Sequence, residues 1–129
     1  MIKNIETDLS NLANQNPKEL SRLLTSPNTN IKILSVGVEI LGGEVGDETL
    51  TLPVFKKLLK HINAVVREAA MIGVSAFYTN KTPPFEIIQQ LQFMLEEDPS
   101  PNIKNYASAL LEDFDKPQII YSQSNQLTE

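Results

Sequence analysis

The stretch "HINAVVREAAMIGVSAFY", residues 61–78, decides how the chain is read. It contains the single histidine of the protein and the Arg67–Glu68 pair in an otherwise almost unbroken apolar run. Taken alone, it fits either a reactive site carried on a helix or one layer of a core. Two other stretches resolve the ambiguity. When "LTSPNTNIKILSVGVEIL" (24–41), "LKHINAVVREAAMIGVSA" (59–76) and "EEDPSPNIKNYASALLED" (96–113) are aligned, the β-branched residues Ile31, Val66 and Ile103 coincide. Each is followed by a base, Lys32, Arg67 or Lys104, and three residues later by a small residue, Ser35, Ala70 or Ala107. Leu23, Leu58 and Leu95 coincide upstream, and the units are separated by 35 and 37 residues. A fixed period of this length marks a repeat architecture.

In the same register Asn28, Asn63 and Ser100 align, all residue types whose side-chain oxygens accept from the free N–H groups of a first helical turn. Pro101 then falls at the first helical position, where its missing N–H costs nothing. The repeat predicts second helices over roughly 29–42, 64–78 and 101–114. Each is preceded by a first helix: "PKELSRLL" behind an Asn16 cap, "PVFKKLLKHI" from Pro53, and "PPFEIIQQLQFMLEE" behind Thr82. In the last of these, Phe85, Ile88, Leu91 or Gln92, and Leu95 supply the helical period. The connections "GGEVGDETLTL" and "TNKT" are rich in turn formers. Ile2, Ile5, Leu9 and Leu12 give an amphipathic N-terminal helix that caps the stack. Gly37 and Gly73 fall inside predicted helices, which they weaken relative to alanine. The reading is all-α: one domain over 1–116, then a polar, loose tail over 117–129 in which only Ile119, Ile120 and Tyr121 are suited to docking.

Composition narrows the function classes. A chain of 129 residues with 41% hydrophobic and 21% charged residues is long enough to bury a core. It has no cysteine, so it has neither a disulfide nor a thiolate site, which suits a reducing cytoplasm. No leader-like or membrane-spanning apolar run is present, and without a leader the glycosylation-like "NKT" at 80–82 carries no weight. The charge of −5 is unevenly placed: residues 1–43 and 44–78 carry four bases and four acids each, whereas residues 79–129 carry three bases and eight acids. That balance argues against a phosphate-binding footprint and hence against nucleic acid.

The paired helices, with a turn, an apolar β-branched residue, a base and then a small residue, resemble HEAT repeats. The clearest matches are "DPSPNIKNYASALLEDF" (98–114) and "HINAVVREAAMIGVSAF" (61–77) with its "VREAA", and the resemblance covers about residues 16–114. The turn acid common in that family occurs only as Asp98, with Ser26 and His61 in its place elsewhere. The resemblance implies a right-handed superhelix whose second helices line a concave face that grips proteins. It implies no enzyme activity of its own, and fold alone does not supply function.

Candidate sites follow. His61 has no second histidine or cysteine to join it, so it reads as a turn residue rather than a metal ligand. Lys32, Arg67 and Lys104 read as structural bases that pair within the turns. The acids Glu96, Glu97 and Asp98 at one turn, with Glu112, Asp113 and Asp115 at the end of the last helix, are the candidate surface for a basic partner. Tyr78 and Tyr106 are candidate aromatic anchors for the same partner. The leading functional expectation is a monomeric, non-enzymatic, cofactor-free inhibitor of the immunity (antitoxin) type that covers a basic toxin such as a nuclease. An adaptor or assembly chaperone similar to the HEAT-like subunits of phycobilin lyases is the alternative. A HEAT-like DNA glycosylase is remote, because the chain is acidic and has no tryptophan.

Overall fold

In the computed structural model the described residues are 4–127, with side chains as far as Asp115. Among them are seven helices and no strand: α1 (Ile5–Gln15), α2 (Pro17–Thr25), α3 (Ile31–Glu44), α4 (Glu48–Leu58), α5 (Ala64–Phe77), α6 (Phe85–Glu97) and α7 (Pro101–Leu127). The all-α expectation therefore holds. The chain forms two compact units, residues 1–77 and 78–129.

In the first unit α1, α3 and α5 pack side by side as one layer, and α2 and α4 pack together as the other. Hydrogen bonds show the relative direction of α2 and α4. Ser21 Oγ donates to the Leu50 carbonyl, and Lys57 Nζ to the Thr25 carbonyl, so partners advance together along α2 and α4. Helices α2 and α4 thus run parallel, and short connections join α3 to both, as in helical hairpins. The interface between layers is apolar: Leu20, Leu24, Leu34, Val38, Leu41, Val54, Phe55, Leu58, Val66, Ala70, Met71, Val74 and Phe77 are buried. Phe55 and Phe77 meet edge to face, with ring centroids 6.0 Å apart, a favoured aromatic geometry. In the second unit α6 packs on α7. Its buried residues include Ile87, Leu91 and Met94 on α6 and Ile103, Ala107 and Leu110 on α7.

Helix starts follow the local chemistry, with three departures from expectation. Asn16 caps α2 through the Glu19 N–H, Asn63 Oδ1 accepts from the Val65 N–H, and Ser100 Oγ accepts from the Ile103 N–H, all as expected. The cap of α3, however, is Asn30, whose Oδ1 accepts from the Ile33 N–H, not Asn28. Starting two residues late leaves Ile31 44% exposed, while its sequence counterparts Val66 and Ile103 are buried. Helix α4 begins at Glu48 behind an Asp47 cap, five residues before Pro53, which lies inside the helix and removes one of its hydrogen bonds. Because α3 also runs on through Gly42–Glu44, the glycine-rich connection shrinks to residues 45–47. Helix α6 starts at Phe85 behind Pro84, with no side-chain cap, rather than behind Thr82.

Two further differences concern the ends. Helix α7 continues to Leu127, so residues 117–127 are helical where an irregular tail was expected. Docking of Ile119, Ile120 and Tyr121 concerns side chains outside the described residues, as does the placement of Ile2 in the N-terminal helix.

Candidate functional site

The three inter-helix turns are built alike. Ser26 Oγ accepts from the Asn28 N–H at 3.5 Å, His61 Nδ1 from the Asn63 N–H at 3.0 Å, and Asp98 Oδ1 from the Ser100 N–H at 2.9 Å. In each case a side-chain acceptor closes a turn on the backbone two residues ahead, the geometry of an Asx-type turn. The lone histidine therefore does the work of the turn acid. Because Nδ1 is the acceptor, the neutral ring carries its proton on Nε2. Arg67 turns back onto the same loop, its Nη1 donating to the carbonyls of His61 and Ile62, both at 2.9 Å. These atoms hold a turn in place.

The second unit holds all the acids and tyrosines singled out in the sequence, but it does not assemble them into one surface. Asp98 is buried and engaged with Ser100, and Tyr78 is buried at 2% exposure, so neither is presented to a partner. Tyr106 is half-buried on α7. Glu96 and Glu97 are exposed at the C-terminal end of α6. Glu112, Asp113 and Asp115 are exposed on α7, about 16–21 Å along the helix axis from its start at a rise of 1.5 Å per residue. The hairpin thus separates the two acidic groups, one near its turn and one toward its open end.

A different acidic surface forms in the first unit, across residues distant in sequence. Helices α1, α3 and α5 carry Glu6, Asp8, Glu39, Glu44 and Glu68 against Lys32 and Arg67. Helices α2 and α4 carry Lys18, Arg22, Lys56 and Lys57 against Glu19 and Glu48. Charge is segregated by layer, acidic on one side and basic on the other. The segment totals hide this because the chain alternates between layers, so residues 1–43 and 44–78 each sum to zero.

Glu39 lies at the middle of the acidic layer. Its carboxyl is held above the ordinary carboxylate value, first by partial burial and then by the charges of Glu68 on α5 and Glu6 on α1. Glu44, at the end of α3, is tied to α1 instead: its Oε1 accepts from Ser10 Oγ at 2.6 Å and from Asn14 Nδ2 at 2.8 Å. Beside Glu39 and Glu68 on their own helices stand aliphatic side chains. Val65 and Ile72 are exposed on α5 at 59% and 36%, and Val36 and Ile40 are half-buried on α3. Their spacing places Val65, Glu68 and Ile72 on one arc of α5, and Val36, Glu39 and Ile40 on one arc of α3.

Carboxylates set among exposed aliphatic side chains suit the long amphipathic side chains of lysine and arginine, whose stems lie on apolar surface while the heads reach the charge. Among the described residues no three His, Cys, Asp or Glu side chains are grouped so as to hold a metal ion. Among them, too, no helix is long and apolar enough to cross a membrane. Comparison with protein-family models, curated proteins and solved structures finds no match to this chain.

Proposed function

We propose that this chain is a non-enzymatic protein-binding module of HEAT-like helix pairs, and that its α1–α3–α5 face receives a basic protein. The observation that carries the reading is the segregation of charge between the layers of the first unit, with Glu39 raised first by partial burial and then by the charges of Glu68 and Glu6, beside the exposed Val65 and Ile72. Like charges held together on the free protein are a standing cost, which a cationic partner relieves on binding. The kind of partner this suits is a basic enzyme whose own phosphate-binding surface is covered on docking, as an inhibitor of the immunity type would do. Many nucleases present such a surface.

The test is affinity capture from the native host with the parent chain and with a Glu39→Lys/Glu68→Lys variant, whose exposed substitutions leave the core untouched. The parent should retain a basic protein at low salt and release it at high salt. The variant should not retain it, and the captured protein's activity should be suppressed by the parent alone. Retention of the same partner by the variant, or capture only of neutral or acidic proteins, would overturn the reading.

A further inference from the structure

Helix α6 presents a second surface, two exposed aromatic rings in a polar, acidic setting, that the α1–α3–α5 reading does not use. Seven residues of the helix are exposed: Phe85, Glu86, Gln89, Gln92, Phe93, Glu96 and Glu97. At 100° per residue they fill one continuous arc of about 140°, opposite the buried Ile87, Leu91 and Met94. The face is thus an intact helix surface, with Phe85 at 71% and Phe93 at 58% exposure. Two turns separate the rings, about 12 Å along the axis. Between and beside them stand Gln89, Glu86, Glu96 and Glu97, and α6 carries no base.

Two phenylalanines exposed on one helix face, with no cover from the described residues, stand out in this chain, since large exposed apolar side chains flanked by polar residues mark interaction sites. The flanking chemistry selects the occupant. We infer that this face docks a basic amphipathic helical segment of another protein. Its apolar side chains, spaced i, i+4 and i+7 or i+8, pack on Phe85 and Phe93, and its lysines or arginines meet Glu86, Glu96 and Glu97. The acids also disfavour a second copy of α6 in the same place, because it would bring three carboxylates against three of its own kind. Arginine has an added contact available, since its guanidinium stacks on an exposed ring.

Selection of a random peptide display library on the full chain tests this, with a Phe85→Ser/Phe93→Ser variant as the counter-selected control. Both substituted side chains are exposed, so the variant keeps the helical circular dichroism and melting temperature of the parent. Enriched peptides should be basic with helical apolar spacing, and should bind the variant at least tenfold more weakly. Their binding should also weaken with added salt, and should persist on the Glu39→Lys/Glu68→Lys chain, which separates this surface from the one proposed above. The inference is overturned if no peptide distinguishes the variant, or if the enriched peptides lack basic residues. It is equally overturned if the parent forms a dimer that the double substitution abolishes, which would assign the face to a second copy. Binding that emerges only after removal of residues 117–129 would assign it to the chain's own C-terminal segment, with the same consequence.

Discussion

Gly42 of α3 and Gly73 of α5 bring two helix backbones into direct contact. A Cβ placed on Gly42 would lie 2.2 Å from the Gly73 carbonyl oxygen, and one on Gly73 would lie 2.6 Å from the Val38 carbonyl oxygen. Neither obstacle is a flexible side chain that could swing aside, so the two helices must move apart to admit even a methyl group. The glycines that weaken α3 and α5 as isolated helices are therefore the residues that let them pack. Gly42→Ala or Gly73→Ala should destabilise the fold by about 2–3 kcal/mol, as overpacking of a rigid contact does. Gly43 is the control, since nothing lies within 4 Å of its Cβ position. Gly43→Ala should instead stabilise by about 0.5–1 kcal/mol through helix propensity. Urea denaturation of the three variants checks both signs.

The hydrogen bond from the Asn63 N–H to His61 Nδ1 gives a prediction about residue type. If His61 serves the turn, His61→Ala should lower stability by about 1 kcal/mol, within the range for one lost intramolecular hydrogen bond. His61→Asp or His61→Asn should recover most of that loss, because either offers an oxygen where Asp98 already does so in the third turn. Equal loss in all three variants, measured by chemical denaturation, would show that the ring acts in some other way.

Thr51 is fully buried on α4, and its Oγ1 has no hydrogen-bond partner among the described residues. A buried hydroxyl without a partner costs about 1–3 kcal/mol of desolvation. Valine has nearly the same shape and a similar helix propensity. Thr51→Val should therefore raise stability by about 1 kcal/mol. Thr51→Ser keeps the hydroxyl and loses the packed methyl, and should lower stability by about 1 kcal/mol. Thermal melts of the pair measure the opposite signs directly.

Glu39 links the acidic face to pH. Its folded-state value lies above the ordinary one, so the folded protein holds this proton more tightly than the unfolded chain does. The charged form is then a destabilising contribution, absent at acid pH and fully present once pH has risen through the folded value. Glu39→Gln should stabilise the protein at neutral pH and lose that advantage below the ordinary carboxylate range. Because Glu39 is largely exposed and screened, the gain should be no more than about 0.5 kcal/mol. It should also shrink in 1 M salt. Denaturation of parent and variant across pH 3–8 tests the sign.

Much of the chain could be read without the structure, for a local reason. Caps at Asn16, Asn63 and Ser100 depend on side chains within a turn of the backbone groups that they serve. Such relations are written in adjacent sequence. Where local signals competed, the reading moved. Asn28 and Asn30 are equally good caps by type; in the structure Asn30 caps α3, while the Asn28 N–H closes the turn on Ser26. Helix α6 sets Phe85 and Phe93 within its polar arc, so an apolar residue count alone could not say that Ile87, Leu91 and Met94 turn inward while Phe85 turns outward.

The sequence by itself determined an all-helical chain and the residue types that close its turns, because those follow from hydrogen bonding and periodicity over a few residues. The tertiary structure decided the rest. It made Gly42 and Gly73 a helix crossing, buried Tyr78 and Asp98, parted Glu96 and Glu97 from Glu112, Asp113 and Asp115, and drew Glu6, Glu39 and Glu68 onto one face. Each of these depends on distances between residues tens of positions apart. The acidic face of the first unit is further concealed because residues 1–43 and 44–78 each sum to zero, neighbouring charges along the chain folding into opposite layers.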